Sequence, residues 1–227
     1  METSTFETRS KLDKKLMNWR WKIAQSAEIR WWQHYLHNKD ETQYLAAKKT
    51  YWHRFLNALQ IDIQANEQIL DAGCGPAGIF MIFNENLVDA IDPLIDQYEY
   101  LRHFNKNDYP NVRFYKKSLE SIEYQKKYDI IFCLNAINHV ADLEKSLDNL
   151  IKILATNGRL IMSIDVHKNN FLKRIFRLIP GDILHPHQHS LTDYLQMLEH
   201  RGCKIEKTIC LKTGQIFNYV AIVVTIQ

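Results

Sequence analysis

The spacing of apolar residues changes period at Gln68. Upstream, Leu12, Leu16, Trp19 and Ile23 recur three and four positions apart, and the pattern continues through Ala27, Trp31 and Tyr35, which is one face of a helix. After the polar break Asn38-Lys39-Asp40, a second stretch free of Pro and Gly places Tyr44, Lys48, Tyr51, Phe55 and Leu59 on one stripe, with Trp52 and Leu56 beside it. Two helices are therefore predicted, the first from Lys11 to about Asn38. All five tryptophans, Trp19, Trp21, Trp31, Trp32 and Trp52, fall in this first quarter. They are expected to pack the helices onto the core, with the lining of a substrate site as the alternative.

Downstream, short runs rich in Ile, Val, Leu and Phe alternate with amphipathic stretches of helical length, the pattern of a parallel sheet with crossover helices. Strands are predicted at Gln68 to Asp71, Leu87 to Ile91, Val112 to Lys116, Tyr128 to Leu134 and Arg159 to Asp165. Helices are predicted at about Gly78 to Phe83, Ile95 to Phe104, Ala141 to Leu154 and Ser190 to Arg201, the last with Ser190 as N-cap and Gly202 as C-terminal cap. Two β-like runs close the chain, Lys204 to Leu211 and Asn218 to Ile226. Their connection through Thr213-Gly214 is too short for a parallel crossover, so these strands should be antiparallel.

Composition narrows the class. The 227 residues are 46% hydrophobic and 24% charged, which suits one ordinary core and excludes disorder and a small disulfide scaffold. A net charge of +3 is too small to imply nucleic acid as partner. Cys74, Cys133, Cys203 and Cys210 lack CxxC spacing and read as reduced thiols in a cytoplasm. The polar start and the lack of any run of ~18 apolar residues predict a soluble, unprocessed chain with no stable membrane insertion.

The richest segment for chemistry is Ile69-Leu70-Asp71-Ala72-Gly73-Cys74-Gly75-Pro76-Ala77-Gly78. It ends a strand, turns through glycines in a G-x-G-x-x-G arrangement and is expected to open a helix with free N–H donors. A side chain at Gly73 is expected to fall where a ligand lies. Asp92, at the end of the next strand, can accept both hydroxyls of an adenosine ribose. Two cofactors compete for such a turn, a nicotinamide dinucleotide and S-adenosylmethionine. Asp71, two residues before the first glycine, would repel a pyrophosphate but suits a ligand carrying a sulfonium and an ammonium.

Leu70-Asp71-Ala72-Gly73-Cys74-Gly75 resembles the first motif of the class I S-adenosylmethionine-dependent methyltransferases, in their small-molecule branch. The likeness runs from about Gln68 to the C-terminus through Asp92-Pro93, Tyr128-Asp129-Ile130-Ile131, Asn157-Gly158-Arg159-Leu160 and His185-Pro186-His187 with the helix start at Ser190. The resemblance implies an α/β, Rossmann-like seven-stranded sheet in the order 3-2-1-4-5-7-6 with strand 7 antiparallel. It implies a methyltransferase domain over 67–227, an N-terminal helical cap over 1–66 and a lid insertion at about 166–189. Asp71, Gly73, Cys74 and Gly75 would hold the methionine end, and Asp92 the ribose. The adenine would lie among Pro93, Leu94 and Leu119, and Asn135 would meet the cofactor. Ser118 stands where the family usually has an adenine-binding Asp; its hydroxyl, or Glu120, would serve instead. The stretch from Gly78 to Asp92 is about a helical turn shorter than usual, which implies a short first helix or a tight exit.

The expected activity is methyl transfer from S-adenosylmethionine, leaving S-adenosylhomocysteine, to a small, partly apolar acceptor whose reacting atom is open. Such a displacement needs alignment more than proton transfer. His139, past strand four, and His187, in the lid, are the candidate catalytic groups, each with a purely structural role as the alternative. The alternation of His185, His187 and His189 does not complete a metal site. Residues 171–179 read as a basic amphipathic helix, a lid packed on the domain rather than a membrane anchor. The rival readings are an NAD-dependent oxidoreductase and a catalytically silent cofactor-binding protein.

Overall fold

The structure, a computed structural model, describes residues 23, 25–123, 125–167, 189–214 and 217–226. The change of period at Gln68 marks where the sheet begins. Strands β1 (Ile69–Ala72), β2 (Val88–Ile91), β3 (Val112–Tyr115), β4 (Tyr128–Leu134), β5 (Leu154–His167), β6 (Cys203–Thr213) and β7 (Phe217–Ile226) form one sheet. Its order is β3-β2-β1-β4-β5-β7-β6. Strands β1 to β5 pair in parallel, and β7 runs antiparallel to both β5 and β6. This is the expected class I topology.

Helices cover both faces of the sheet, which is why β1 and β2 are buried at every position and read as apolar runs interrupted only by Asp71 and Asp89. On one face, α1 (25–36) leads into α2 (Glu41–Leu59). Asp40 starts α2 by accepting from the Gln43 N–H at 2.9 Å, and Gln60 ends it in the left-handed region at φ 52°. The buried side of α2 is Tyr44, Trp52, Phe55, Leu56 and Leu59, close to the stripe expected from the sequence. It meets alternate sheet residues such as Ile69, Phe132, Ile161 and Val223. On the opposite face, α4 (Leu143–Lys152) and α5 (Leu191–Glu199) bury Leu147, Leu150, Tyr194 and Leu198 against Leu70, Ile131, Leu160 and Ile222.

Three elements differ from expectation. The helix expected from Gly78 to Phe83 is a single 3-10 turn, Ile79–Ile82. Its sequence Ile-Phe-Met-Ile has no polar face, and Ile79, Phe80 and Met81 are buried in the core; an amphipathic helix would expose part of that run. Helix α3 stops at Tyr98 (Ile95–Tyr98) instead of reaching Phe104. Leu101 and Phe104 are still buried, reached through turns closed by the Leu101 N–H on the Tyr98 carbonyl and the Phe104 N–H on the Leu101 carbonyl. Strand β5 starts five residues early because Leu154 pairs with Tyr128; the register then shifts, with Asn157 at φ 65°, before Arg159 pairs with Ile130. The start of the first expected helix, the 171–179 helix and nearly all of the 166–189 lid lie outside the described residues. Among the described residues no helix is long and apolar enough to cross a membrane.

Candidate active site

The carboxyl ends of β1 to β4 meet the helices α1 and α2 around a cavity of about 600 Å³, at the sheet edge where open α/β folds bind ligands. Its floor is the turn Gly73 to Ala77. Gly73 and Gly75 take φ +76° and +58°, conformations that a Cβ penalises. The N–H groups of Gly73 and Cys74 both donate to the Ile91 carbonyl, at 2.8 and 3.1 Å, tying the turn to the end of β2. A Cβ on Gly73 would sit 2.3 Å from the Ala136 Cβ. The expected clash is therefore with the protein's own β4 loop rather than with a ligand.

Asp92 lines the cavity beside this turn. Its Oδ2 accepts from the Gly75 N–H at 3.0 Å and its Oδ1 from the Leu94 N–H at 2.8 Å. The Tyr98 hydroxyl also bonds this carboxylate, which keeps acceptor capacity for a ligand hydroxyl. Burial pushes its pKa up to about 6, against the lowering effect of those N–H bonds. Glu28, from α1, reaches the same space, and burial together with the Asp92 charge raises it to about 7. The Tyr98 hydroxyl lies 3.5 Å from Glu28 Oε1.

Asp71 is not among the residues lining the cavity. It is buried below the turn, where its Oδ2 accepts from the Phe80 N–H at 3.1 Å. Burial raises it to about 7. A Cβ on Gly78 would come within 2.4 Å of that oxygen, so the third glycine makes room for Asp71. Leu94, expected near the adenine, is packed in the core at 1% exposure, because the turn after Pro93 points it inward. Pro93, Ser118, Leu119 and Cys74 do line the cavity. Glu120 lines it too, but its Oε1 accepts from the Ala141 and Asp142 N–H groups at 2.7 and 3.2 Å.

Past β4, Asn135 takes φ 52° and donates its N–H to Ser163, and His139 ends the turn Ile137–His139 in the cavity wall. His187 lies outside the described residues. The roof is aromatic: Trp31 and Trp32 from α1, Tyr51 and Trp52 from α2. The expectation that the tryptophans only pack helices is thus amended. Trp52 does both, since its Nε1 donates to the Ala77 carbonyl at 3.0 Å. At the far end Tyr219 of β7 lines the cavity with its hydroxyl 2.6 Å from Ser163 Oγ; burial raises the Tyr51 phenol and pushes that of Tyr219 well above the usual range.

The cavity therefore includes Glu28, Lys48, Tyr51 and Tyr219, which sequence reasoning did not single out as site residues. Two signals were present. Lys48 is a cation inside an otherwise apolar stripe, and Glu28 stands three and four positions before Trp31 and Trp32, on one helical face with them.

Residues 63–177, just over half of the chain, match the family described as Methyltransferase domain. The chain belongs to that family. Ubiquinone biosynthesis O-methyltransferases are similar to it: the protein of Rickettsia akari is 30% identical over 132 residues, covering 56% of this chain and 48% of the relative. That of Rickettsia bellii (strain OSU 85-389) is 33% identical over 165 residues, covering 66% of this chain and 65% of the relative. This chain thus matches about half to two thirds of the length of these relatives. Its fold is shared with the Burkholderia thailandensis 1,6-didemethyltoxoflavin-N1-methyltransferase, solved with its namesake compound and S-adenosylhomocysteine. The TM-score is 0.61 at 15% identity, over 91% of this chain and 88% of that one.

Proposed function

We propose that this methyltransferase domain transfers a methyl group from S-adenosylmethionine to a small, partly apolar acceptor, with residues 1–66 acting as a cap over the site. One observation carries the choice of cofactor. The glycine turn leads into a four-residue 3-10 turn instead of an α-helix, and the carboxylates of Asp92 and Glu28 stand beside it. A pyrophosphate would find acid there and no helix N-terminus. Ribose hydroxyls and a positively charged sulfonium or ammonium would find acceptors and counter-charge. This favours the methyltransferase reading over the dinucleotide one. The resemblance to ubiquinone O-methyltransferases agrees with a small acceptor.

When bound, S-adenosylmethionine supplies an electrophilic methyl on a sulfonium. The chain's own part is placement. Asp92 accepts from the ribose, Pro93, Leu119 and Ser118 bound the adenine, and the Gly73 to Gly75 turn brings main chain against the methionine end. Asp71 acts through the turn, as a positioning residue. Trp31, Trp32, Tyr51 and Trp52 exclude water and give the acceptor a flat apolar surface. His139, in the cavity wall, would take a proton from an acceptor that must lose one.

The test is a thermal-shift titration with S-adenosylhomocysteine and with NAD+. The reading predicts stabilisation by the first alone. Stabilisation by NAD+ alone contradicts it.

A further inference from the structure

Lys48 is the only Lys or Arg among the described residues lining the cavity. It projects from α2 one turn before Tyr51 and Trp52, and no carboxylate lies within 4.0 Å of its ammonium among the described residues. Its near neighbours are aromatic faces, with Nζ 5.8 Å from the Tyr44 ring centre and 5.7 Å from that of Tyr51. Burial lowers its pKa, and the charge of Lys39 adds to that lowering. Cation–π contacts at these distances return only part of what an ammonium loses on leaving water. A cation kept half-buried, without a counter-ion among the described residues, on the wall of a ligand-sized cavity is matched by an anion that arrives with the ligand. The three carboxylates in that wall do not fill this need: none lies within 4.0 Å of the ammonium, Asp92 and Glu120 each hold two backbone N–H groups, and Glu28 stands beside Asp92 with the Tyr98 hydroxyl 3.5 Å away.

We propose that Lys48 is the carboxylate-binding group of the cavity, a specificity-determining residue that selects ligands bearing a carboxylate at the α2 wall. The role rests on the cavity being an S-adenosylmethionine site, and two ligands could bring the carboxylate: the methionine end of the cofactor, or an acidic acceptor. A planar aromatic acid would suit the second case, with its ring against Tyr51 and Trp52 and its carboxylate on the ammonium.

Two matched pairs of probes separate the sources. S-adenosylhomocysteine is compared with 5′-methylthioadenosine, which keeps the nucleoside and the thioether but lacks the amino-acid end. Benzoate is compared with benzamide on the protein saturated with S-adenosylhomocysteine. Dissociation constants are measured for the full chain and for Lys48→Met, Lys48→Gln and Lys48→Arg, with near-UV circular dichroism to show that each variant is folded. In Met and Gln variants the carboxylate-bearing member of one pair should lose about tenfold in affinity, as expected for a charge-assisted hydrogen bond. Its neutral counterpart should stay within about twofold, and Lys48→Arg should recover part of the loss. Loss in the first pair identifies the cofactor carboxylate; loss in the second identifies the acceptor's. The inference is overturned if neither pair changes, if both members of each affected pair weaken equally, or if no variant folds while the wild type shows no preference for the acid in either pair. If the wild type binds neither S-adenosylhomocysteine nor 5′-methylthioadenosine, the cofactor reading itself has failed.

Discussion

The indole N–H of Trp52 donates to the carbonyl of Ala77 at 3.0 Å, across 25 positions of sequence. This bond fastens α2 to the glycine turn, and so ties the roof of the cavity to its floor. Trp52→Phe keeps an aromatic ring but deletes the donor and part of the indole's buried surface, leaving the Ala77 carbonyl without this partner. A loss of about 1–2 kcal/mol is expected, with a fall in melting temperature of about 2–8 °C. Affinity for S-adenosylhomocysteine should fall by about three- to tenfold because the turn is less well held. Calorimetry on the two proteins checks both; an unchanged affinity shows that cap and turn are independent.

Gly73 meets two constraints, a φ of +76° and an Ala136 Cβ only 2.3 Å from where its own Cβ would stand. Gly73→Ala should therefore remove detectable S-adenosylhomocysteine binding. Ala136→Gly in the same chain relieves the clash but leaves about 1–2 kcal/mol of left-handed strain. The double variant should recover measurable but weakened binding. If it binds no better than the single variant, the clash is not what the glycine avoids.

Two aspartates flank the turn, and their partners separate their roles. Asp92 lines the cavity, whereas Asp71 lies beneath it on the Phe80 N–H. Asp71→Asn retains an acceptor for that N–H and should change S-adenosylhomocysteine affinity by no more than about threefold. Asp92→Asn should cost more than about tenfold under the proposed role of its oxygens as ribose acceptors. Titration calorimetry orders the two variants; the reverse order would place Asp71 against the ligand.

The acids also give a signature in pH. In the folded chain Asp71, Asp92 and Glu28 lose their protons at about 7, about 6 and about 7, against ordinary values of 3.8, 3.8 and 4.5. Between those limits the folded state holds more protons than the unfolded one, so these groups' contribution to stability falls as pH rises from about 4 to about 7. A ligand that supplies hydroxyl donors and positive charge prefers the ionised carboxylates. Its affinity should rise across the upper part of the same range. Melting curves with and without S-adenosylhomocysteine, from about pH 5 to about pH 8, should show the ligand-induced shift growing as the bare protein weakens. A shift that shrinks with pH contradicts the assignment of Asp92 and Glu28.

The sheet was legible because its signals are local. The run Ile69 to Ala72, the two positive-φ glycines and the acid at Asp92 lie within one strand–turn–strand unit, and the short link after β6 settles the antiparallel ending. The 3-10 turn at Ile79–Ile82 was harder to see. Whether four apolar residues coil or straighten depends on the pocket they fill, in this case among α2 and the sheet. Asp71 shows a related limit: sequence places an acid at the turn but not the side of the turn on which its carboxylate falls. Lys48 and Tyr219 come from opposite ends of the chain and meet at one cavity, a proximity that periodicity does not encode.

The most direct measurement is the structure of the full chain crystallised with S-adenosylhomocysteine. The account predicts the ribose hydroxyls within about 3 Å of the Asp92 oxygens, the nucleoside between Pro93 and Leu119, and the sulfur facing the space bounded by His139, Tyr51 and Tyr219. A nucleoside lying elsewhere, with the Asp92 carboxylate still bonded only to groups of the protein, would contradict it.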